Sequence, residues 1–264
     1  MLASAGIPHR LEPTGAVWTL SVPEGEMDHA RETLDSFDAE ETPPARHAVT
    51  TDRPVPWFLG TVVGALLLAG FAVTGSPVAS PRWFERGAAI AGLMRAEPWR
   101  AVTALTLHLD VSHVVGNAVA TAILLPAVAQ RLGAGVALLL TLLAGATGNV
   151  LAAMAHAPGH AAVGASTATF AAVGMLGALR LLSGFAGEPM RWKSWMVPAA
   201  SLLLLVLLGA SRGADVLAHV MGFVSGAAVG LVAAVIRQPF PPVVQWTLGV
   251  LTAVIVAGCW LRAA

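Results

Sequence analysis

The sequence predicts an all-α polytopic membrane protein with a small α/β region ahead of the spans, and three observations predict that class. Hydrophobic residues make up 56% of the 264-residue chain and charged residues 11%, where soluble domains carry roughly 25% charged residues. Mean hydropathy is accordingly high, at +0.73. Charge is also divided unevenly. Residues 1–53 hold ten Asp or Glu and four Arg, whereas residues 54–264 hold five acidic and eleven basic residues. A basic excess within the apolar part suits short loops that set orientation at a bilayer, and it gives no reason to propose nucleic-acid binding. Third, apolar runs close to the ~20 residues that a bilayer requires recur from residue 56 onward.

The polar region comes first. His9 to Leu11 and Val17 to Val22 read as two short strands around Pro13-Thr14-Gly15. Residues 24–39 read as a helix with Met27, Ala30, Leu34 and Phe37 on one face. A hairpin plus one helix is too small to bury a large core alone, and it is expected to act as a passive cap, with a regulatory or oligomerising module as the alternative. The Pro-rich, charged stretch 40–56 reads as a linker. The first fifty residues contain no long apolar stretch, so no cleavable signal peptide is expected among them.

Seven spans are expected, at 56–75, 101–130, 133–154, 162–184, 194–210, 216–236 and 243–262. Between the first two, Arg82, Glu85, Arg86, Arg95 and Glu97 mix with Trp83, Phe84, Ile90, Leu93 and Met94. That segment, 76–100, is expected to lie as an amphipathic loop at the membrane interface. Cys259 is the single cysteine, which excludes an intrachain disulfide and a multi-Cys metal site.

Orientation follows from the basic residues of short loops. Arg131, the pair Arg191 and Lys193, and Arg237 occupy three alternate connections, which puts these loops and the N-terminus in the cytoplasm. Loop 155–161, without Lys or Arg, is then outside. The four Arg of residues 82–100 oppose this orientation unless their loop is embedded at the interface. In this frame His108, His113 and Asn117 fall in the outer half of the second span, and His219 about three residues into the sixth. Ser166 falls about four residues into the fourth, roughly 6 Å deep at a rise of ~1.5 Å per residue. A polar side chain between hydrocarbon walls is costly and marks function by default. Three segments that bring such groups to one depth point to one water-reachable site opening to the external face.

The residue types suggest its chemistry. Ser166 needs a base to become a nucleophile, and the His219 imidazole supplies one. His113 and Asn117 are four apart and share a helix face. Both can donate hydrogen bonds to a developing oxyanion, together with the Ser166 N–H. His108 lies five residues before His113, somewhat off that face. Phe170, four residues after Ser166, is placed to pack on the His219 ring. Asp215, one turn before His219, reads as a helix end rather than a third catalytic group, which leaves a Ser–His dyad. Gly222, Gly226 and Gly230 form a small-residue stripe facing Gly164, Ala168, Ala171, Ala172 and Gly174, a pattern that permits close helix approach. His156 and His160 are expected to be solvated and without a role, and neither a metal nor a cofactor is expected.

These motifs resemble those of the rhomboid family of intramembrane serine proteases, in particular bacterial members with a cytoplasmic N-terminal domain. His108, His113 and Asn117 follow the family's His-x4-His-x3-Asn pattern. Gly164-Ala165-Ser166 follows its Gly-x-Ser motif, with an aromatic four residues later at Phe170. Ala218-His219 with Gly222 and Gly226 follows its Ala-His-x2-Gly-x3-Gly motif, and Trp99-Arg100 matches the pair of its first loop. The likeness covers about residues 56–240. It implies a six-helix core plus a seventh C-terminal helix, with residues 1–53 as a small cytoplasmic α/β domain and linker and 54–264 as the transmembrane protease domain. It implies a Ser166–His219 dyad, an oxyanion hole near His113 and Asn117, support from His108, Gly164, Phe170 and Gly222, and no cofactor. The implied partners are the lipid bilayer and membrane-protein substrates, cleaved in their transmembrane segments after lateral entry beside the fifth helix. The implied setting is a bacterial inner (plasma) membrane, with the site open to the periplasmic side.

Two positions depart from the family pattern. Thr167 stands where Gly usually follows the nucleophile, and a β-branched residue there is expected to crowd the oxyanion hole or narrow substrate preference. Ala129 stands where an acidic residue usually faces Arg131. Two other function classes bear comparison. One is a catalytically silent relative that binds client transmembrane helices, a class that Thr167 would favour. The other is a transporter, which would show repeats or interrupted helices around a midplane site, and the sequence shows no convincing repeat.

Overall fold

The computed structural model describes residues 2–14, 17–41, 55–185, 215–236 and 240–264. The expected fifth span, 194–210, and the basic residues Arg191, Lys193 and Arg237 lie outside these. The chain divides into two compact units, Met1–Thr50 and Thr51–Ala264.

In the first unit β1 (Arg10–Thr14) pairs antiparallel with β2 (Val17–Ser21), with Arg10 opposite Ser21. Pro13 lies within β1, tolerable because a two-stranded ribbon consists of edges. A 3₁₀ turn at Glu24–Glu26 leads into α1 (Met27–Glu41). Leu2, Ile7 and Ala30 form a small core with Val22 and Leu34 against it, while Met27 is exposed rather than on the buried face.

The second unit is a helical bundle. Its elements are α2 (Trp57–Thr74), α3 (Pro81–Gly87), β3 (Ala89–Ile90), α4 (Arg100–Thr103), α5 (Val111–Leu132), α6 (Ala134–Ala155), β4 (Ala161–Ala162), α7 (Ser166–Phe185), α8 (Val216–Val235) and α9 (Pro242–Ala263). Among the described residues, α2, α5, α6, α8 and α9 are long and apolar enough to cross a bilayer. Phe58 and Leu66 on α2, and Trp246 and Leu261 on α9, are exposed. Apolar surface of that extent suits lipid rather than water. The chain is an integral membrane protein.

Helix boundaries match the expected spans within one or two residues, with two exceptions that matter for the site. The expected helix 101–130 is broken: after α4 and a 3₁₀ turn at Ala104–Thr106, the chain is irregular until α5 starts at Val111. Asp110 caps α5 by accepting a hydrogen bond from the His113 N–H at 2.8 Å. His108 therefore precedes the helix rather than lying in it. The fourth span begins at Ser166 and not at 162, so Ser166 opens its helix instead of lying a turn inside it.

Glycine governs how the helices meet. A Cβ on Gly222, Gly226 or Gly230 of α8 would collide with the carbonyl oxygens of Thr167, Ala171 and Met175 of α7. The paired numbers rise together, so α7 and α8 run parallel in direct backbone contact. A Cβ on Gly148 of α6 would lie 2.7 Å from the Gly222 Cα. On the far side of α5, Pro126 cannot donate to the Ala122 carbonyl, and Gly60 of α2 packs against both. The seventh expected helix, α9, docks through Gln245, whose amide accepts from the Val136 N–H at 3.1 Å and donates to the Leu132 carbonyl at 3.1 Å.

The segment 76–100 is more ordered than an amphipathic loop. Arg100 is buried and donates to the Ala88 carbonyl at 3.0 Å and the Glu85 carbonyl at 2.7 Å, and pairs with Glu97 at 2.5 Å. Its planar fork thus gathers α3, β3 and α4 around one side chain. Asn149 of α6 donates to the Ala101 carbonyl at 2.9 Å, fixing this assembly to the bundle. β3 pairs antiparallel with β4, Ala89 opposite Ala162, just ahead of the segment that leads to Ser166.

Candidate active site

Three helix starts supply the site. Asn117 and His113 come from the first two turns of α5, Ser166 from the first residue of α7, and His219 from the first turn of α8. Parallel packing of α7 on α8 brings Ser166 Oγ to 2.9 Å from His219 Nε2, with both residues buried. Phe170, one turn after Ser166, stacks on the His219 ring with centroids 4.5 Å apart and planes 27° apart. That contact holds the imidazole face, so the ring presents Nε2 to the hydroxyl.

The segment before Ser166 turns through Gly164, whose φ of +127° is accessible to glycine alone at little cost. Its N–H donates to the Ala104 carbonyl at 2.9 Å, and the next N–H, of Ala165, donates to His108 Nε2 at 3.4 Å. A Cβ on Gly164 would lie 2.6 Å from His113 Nε2 and 3.5 Å from Asn117 Nδ2. Glycine is required twice over, by its φ and by these two side chains, which converge on the backbone ahead of the nucleophile. The Leu109 N–H donates to His113 Nδ1 at 3.4 Å. With Nδ1 an acceptor, neutral His113 carries its proton on Nε2 and aims a donor at that position. His108 and His113 meet edge to face, 5.2 Å between centroids. Asn117 is fully buried, and neither its amide nitrogen nor its amide oxygen has a partner among the described residues. A buried amide without partners costs free energy, and here it lies beside Gly164, two residues before Ser166.

Asp215 does end a helix, capping α8 through a bond from the Ala218 N–H at 2.9 Å. It also does something the sequence did not suggest. Its two oxygens lie 3.0 Å from His156 Nε2 and 2.7 Å from His160 Nε2. These histidines, expected to be solvated and without a role, are instead half-buried and share one carboxylate. Burial on its own would raise the Asp215 carboxyl, but the bonds from Ala218, His160 and His156 outweigh it and hold the group below the ordinary carboxylate value. Committed to these partners, Asp215 leaves His219 Nδ1 with none among the described residues.

The Thr167 methyl packs against two helix glycines. Its carbon, Cγ2, lies 2.8 Å from where a Gly148 Cβ would lie and 3.0 Å from where a Gly222 Cβ would lie. The methyl fills the junction of α6, α7 and α8. Ala129 is buried in the core beside Leu125 and Val128.

A family model described as Rhomboid domain matches residues 95–235, more than half of the chain. The protein belongs to the rhomboid family. No curated protein matches it significantly. The matched region runs from the loop organised by Arg100 to the end of α8, so it contains every residue of the candidate site. The polar N-terminal unit, α2 and α9 lie outside it.

Proposed function

We propose that this rhomboid-family protein is an intramembrane serine endopeptidase that cleaves transmembrane segments of membrane-protein substrates with a Ser166–His219 dyad. The contact that carries the reading is the 2.9 Å approach of Ser166 Oγ to His219 Nε2. In the tautomer with the proton on Nδ1, the hydroxyl donates to Nε2, as general-base activation of a nucleophile requires. The rhomboid family holds both proteases and inactive members, and Thr167 was the reason to favour a silent client-binding protein. Its methyl packs between α6, α7 and α8 against Gly148 and Gly222, which weakens that support.

In the proposed mechanism a substrate helix enters laterally and unwinds near its outer end, exposing a peptide carbonyl. Ser166 Oγ bonds to the carbonyl carbon as its proton passes to His219. The carbonyl oxygen becomes an oxyanion held by His113 Nε2–H, the Asn117 amide and the Ser166 N–H. The C–N bond breaks as His219 returns the proton to the leaving amine. Water, deprotonated by His219, then releases the acyl group and restores Ser166. Residues 1–53 form the cytoplasmic domain of this enzyme. The site opens to the external face of a bacterial inner membrane, because the basic short loops orient the chain that way.

The test is cleavage of a model single-span substrate in liposomes by wild type, Ser166→Ala and His219→Ala. Cleavage by wild type that is lost in both variants is expected. A folded wild type that binds but never cuts a panel of such substrates would leave the client-binding reading in its place.

A further inference from the structure

Outside the dyad, one cluster among the described residues has metal-ligand chemistry: His156, His160 and Asp215, whose ligand atoms all lie within 4.8 Å of one another. The two imidazole rings are stacked, 3.6 Å between centroids and 16° between planes, with both Nε2 atoms turned to the same carboxylate. Nothing in the local sequence period produces this, since Asp215 is more than fifty residues away along the chain. The backbone builds it. His156 caps the end of α6, bonding to the Ala152 carbonyl, and the turn Ala157-Pro158-Gly159 closes with the His160 N–H on the Ala157 carbonyl at 2.9 Å. The turn is pinned from outside by the Ala91 N–H on the His160 carbonyl at 3.0 Å and the Gly92 N–H on the Pro158 carbonyl at 2.8 Å. Asp215 is held by its own capping bond to Ala218. Three ligands on three restrained pieces of backbone make a preorganised set.

We propose that His156, His160 and Asp215 form a binding site for a divalent cation of the zinc class, bracing the dyad from the end of the bundle where α7 and α8 begin. Two imidazoles and one carboxylate are donors that zinc takes with one open position for water. Zinc at ~2.0–2.2 Å from such ligands separates them by about 3.3 Å in a tetrahedron. The present N–O separations are 3.0 and 2.7 Å, so these two pairs need to open by only about 0.3–0.6 Å to admit the ion. The side chains are 23, 35 and 12% exposed, which leaves the imidazoles reachable from solution while the carboxylate is shielded. His160 stands six residues before Ser166, and Asp215 one turn before His219. An ion here would therefore tie together the two segments that carry the dyad.

The test is metal occupancy, which is read independently of whether Ser166 cleaves anything. Full-length protein without a polyhistidine tag, stripped with a chelator in detergent micelles, is titrated with Co(II) and then with Zn(II). Wild type is expected to bind one Co(II) per chain with the visible bands of a four-coordinate ion, to release it to Zn(II), and to unfold several degrees higher with Zn(II) than without. His160→Ala and Asp215→Asn should each weaken binding by more than the ~10–100-fold that loss of a supporting group costs. Asn still caps a helix, so Asp215→Asn tests ligation in a chain whose α8 start is preserved. His113→Ala, near the dyad, should bind as wild type does. Folded wild type with no saturable binding would overturn the site. So would binding that survives both His160→Ala and Asp215→Asn, or that is lost in His113→Ala alone.

Discussion

Two buried asparagines in this bundle should respond to truncation in opposite ways. Asn117 lies beside Gly164, two residues before Ser166, and has no amide partner among the described residues. Asn149, also buried, donates to the Ala101 carbonyl at 2.9 Å and ties α4 to α6. Replacing Asn149 by Ala leaves that carbonyl unpaired in the core, a cost of about 1–3 kcal/mol. At roughly 2–4 °C per kcal/mol for a chain of this size, the unfolding midpoint should fall by roughly 2–12 °C. Replacing Asn117 by Ala removes an amide whose burial is uncompensated, and that relief offsets the packing its side chain supplies. The midpoint should therefore stay within about 2 °C of wild type. Catalysis should reverse the order. If Asn117 donates to the oxyanion, kcat should fall about 10²–10³-fold, the usual loss of one such donor. Asn149→Ala, assayed well below its midpoint, should lose only a few-fold. The assay pairs thermal unfolding in detergent with single-span substrate cleavage in liposomes. An Asn117→Ala protein that unfolds many degrees early, or that cleaves at the wild-type rate, would refute the reasoning.

Other expectations follow from the same packing. Thr167→Ser deletes the methyl at the junction of α6, α7 and α8, so it should cost about 0.5–1.5 kcal/mol of stability, read as a lower unfolding midpoint. Thr167→Gly should cost more and leave cleavage no faster than wild type; a tenfold gain in kcat would show that the threonine does obstruct the site. Gln245→Ala removes both polar links between α9 and the α5–α6 turn and strands the Val136 N–H, an expected loss of about 1–3 kcal/mol seen as a lower unfolding midpoint. An unchanged midpoint would mean that α9 docks by its apolar surface alone.

Part of this architecture could be read from spacing, because spacing within a helix is fixed by its pitch. Ser166 and Phe170, His113 and Asn117, and Gly222, Gly226 and Gly230 are four-residue neighbours in any α-helix, and the structure places each set on one face. Hydropathy is blind to other things. Residues 101–108 are mostly apolar and mostly buried, and a buried irregular segment looks like a buried helix in composition. The cap at Asp110 was the available sign of the break. The bonds from His156 and His160 to Asp215 had no local sign at all, since they join segments far apart in sequence. Nor could the direction of the Thr167 methyl be read without its neighbours, Gly148 and Gly222.

The late start of the fourth span has a mechanistic meaning. Had that helix begun at 162, the Ser166 N–H would have been committed to the carbonyl four residues before it. With Ser166 as the first residue of α7, its N–H belongs to the opening turn, where backbone donors have no partner inside the helix and the helix dipole favours negative charge. Holding the preceding segment out of the helix takes Gly164 at positive φ and the anchors from its N–H to the Ala104 carbonyl and from the Ala165 N–H to His108. Those anchors exist only because the second span is broken before α5, which leaves Ala104 in a 3₁₀ turn and His108 in an irregular stretch. The two departures from the expected spans are thus one device. In the proposed mechanism one span starts late so that its first donor is available to an oxyanion, and the other is interrupted so that it can hold the late start in place.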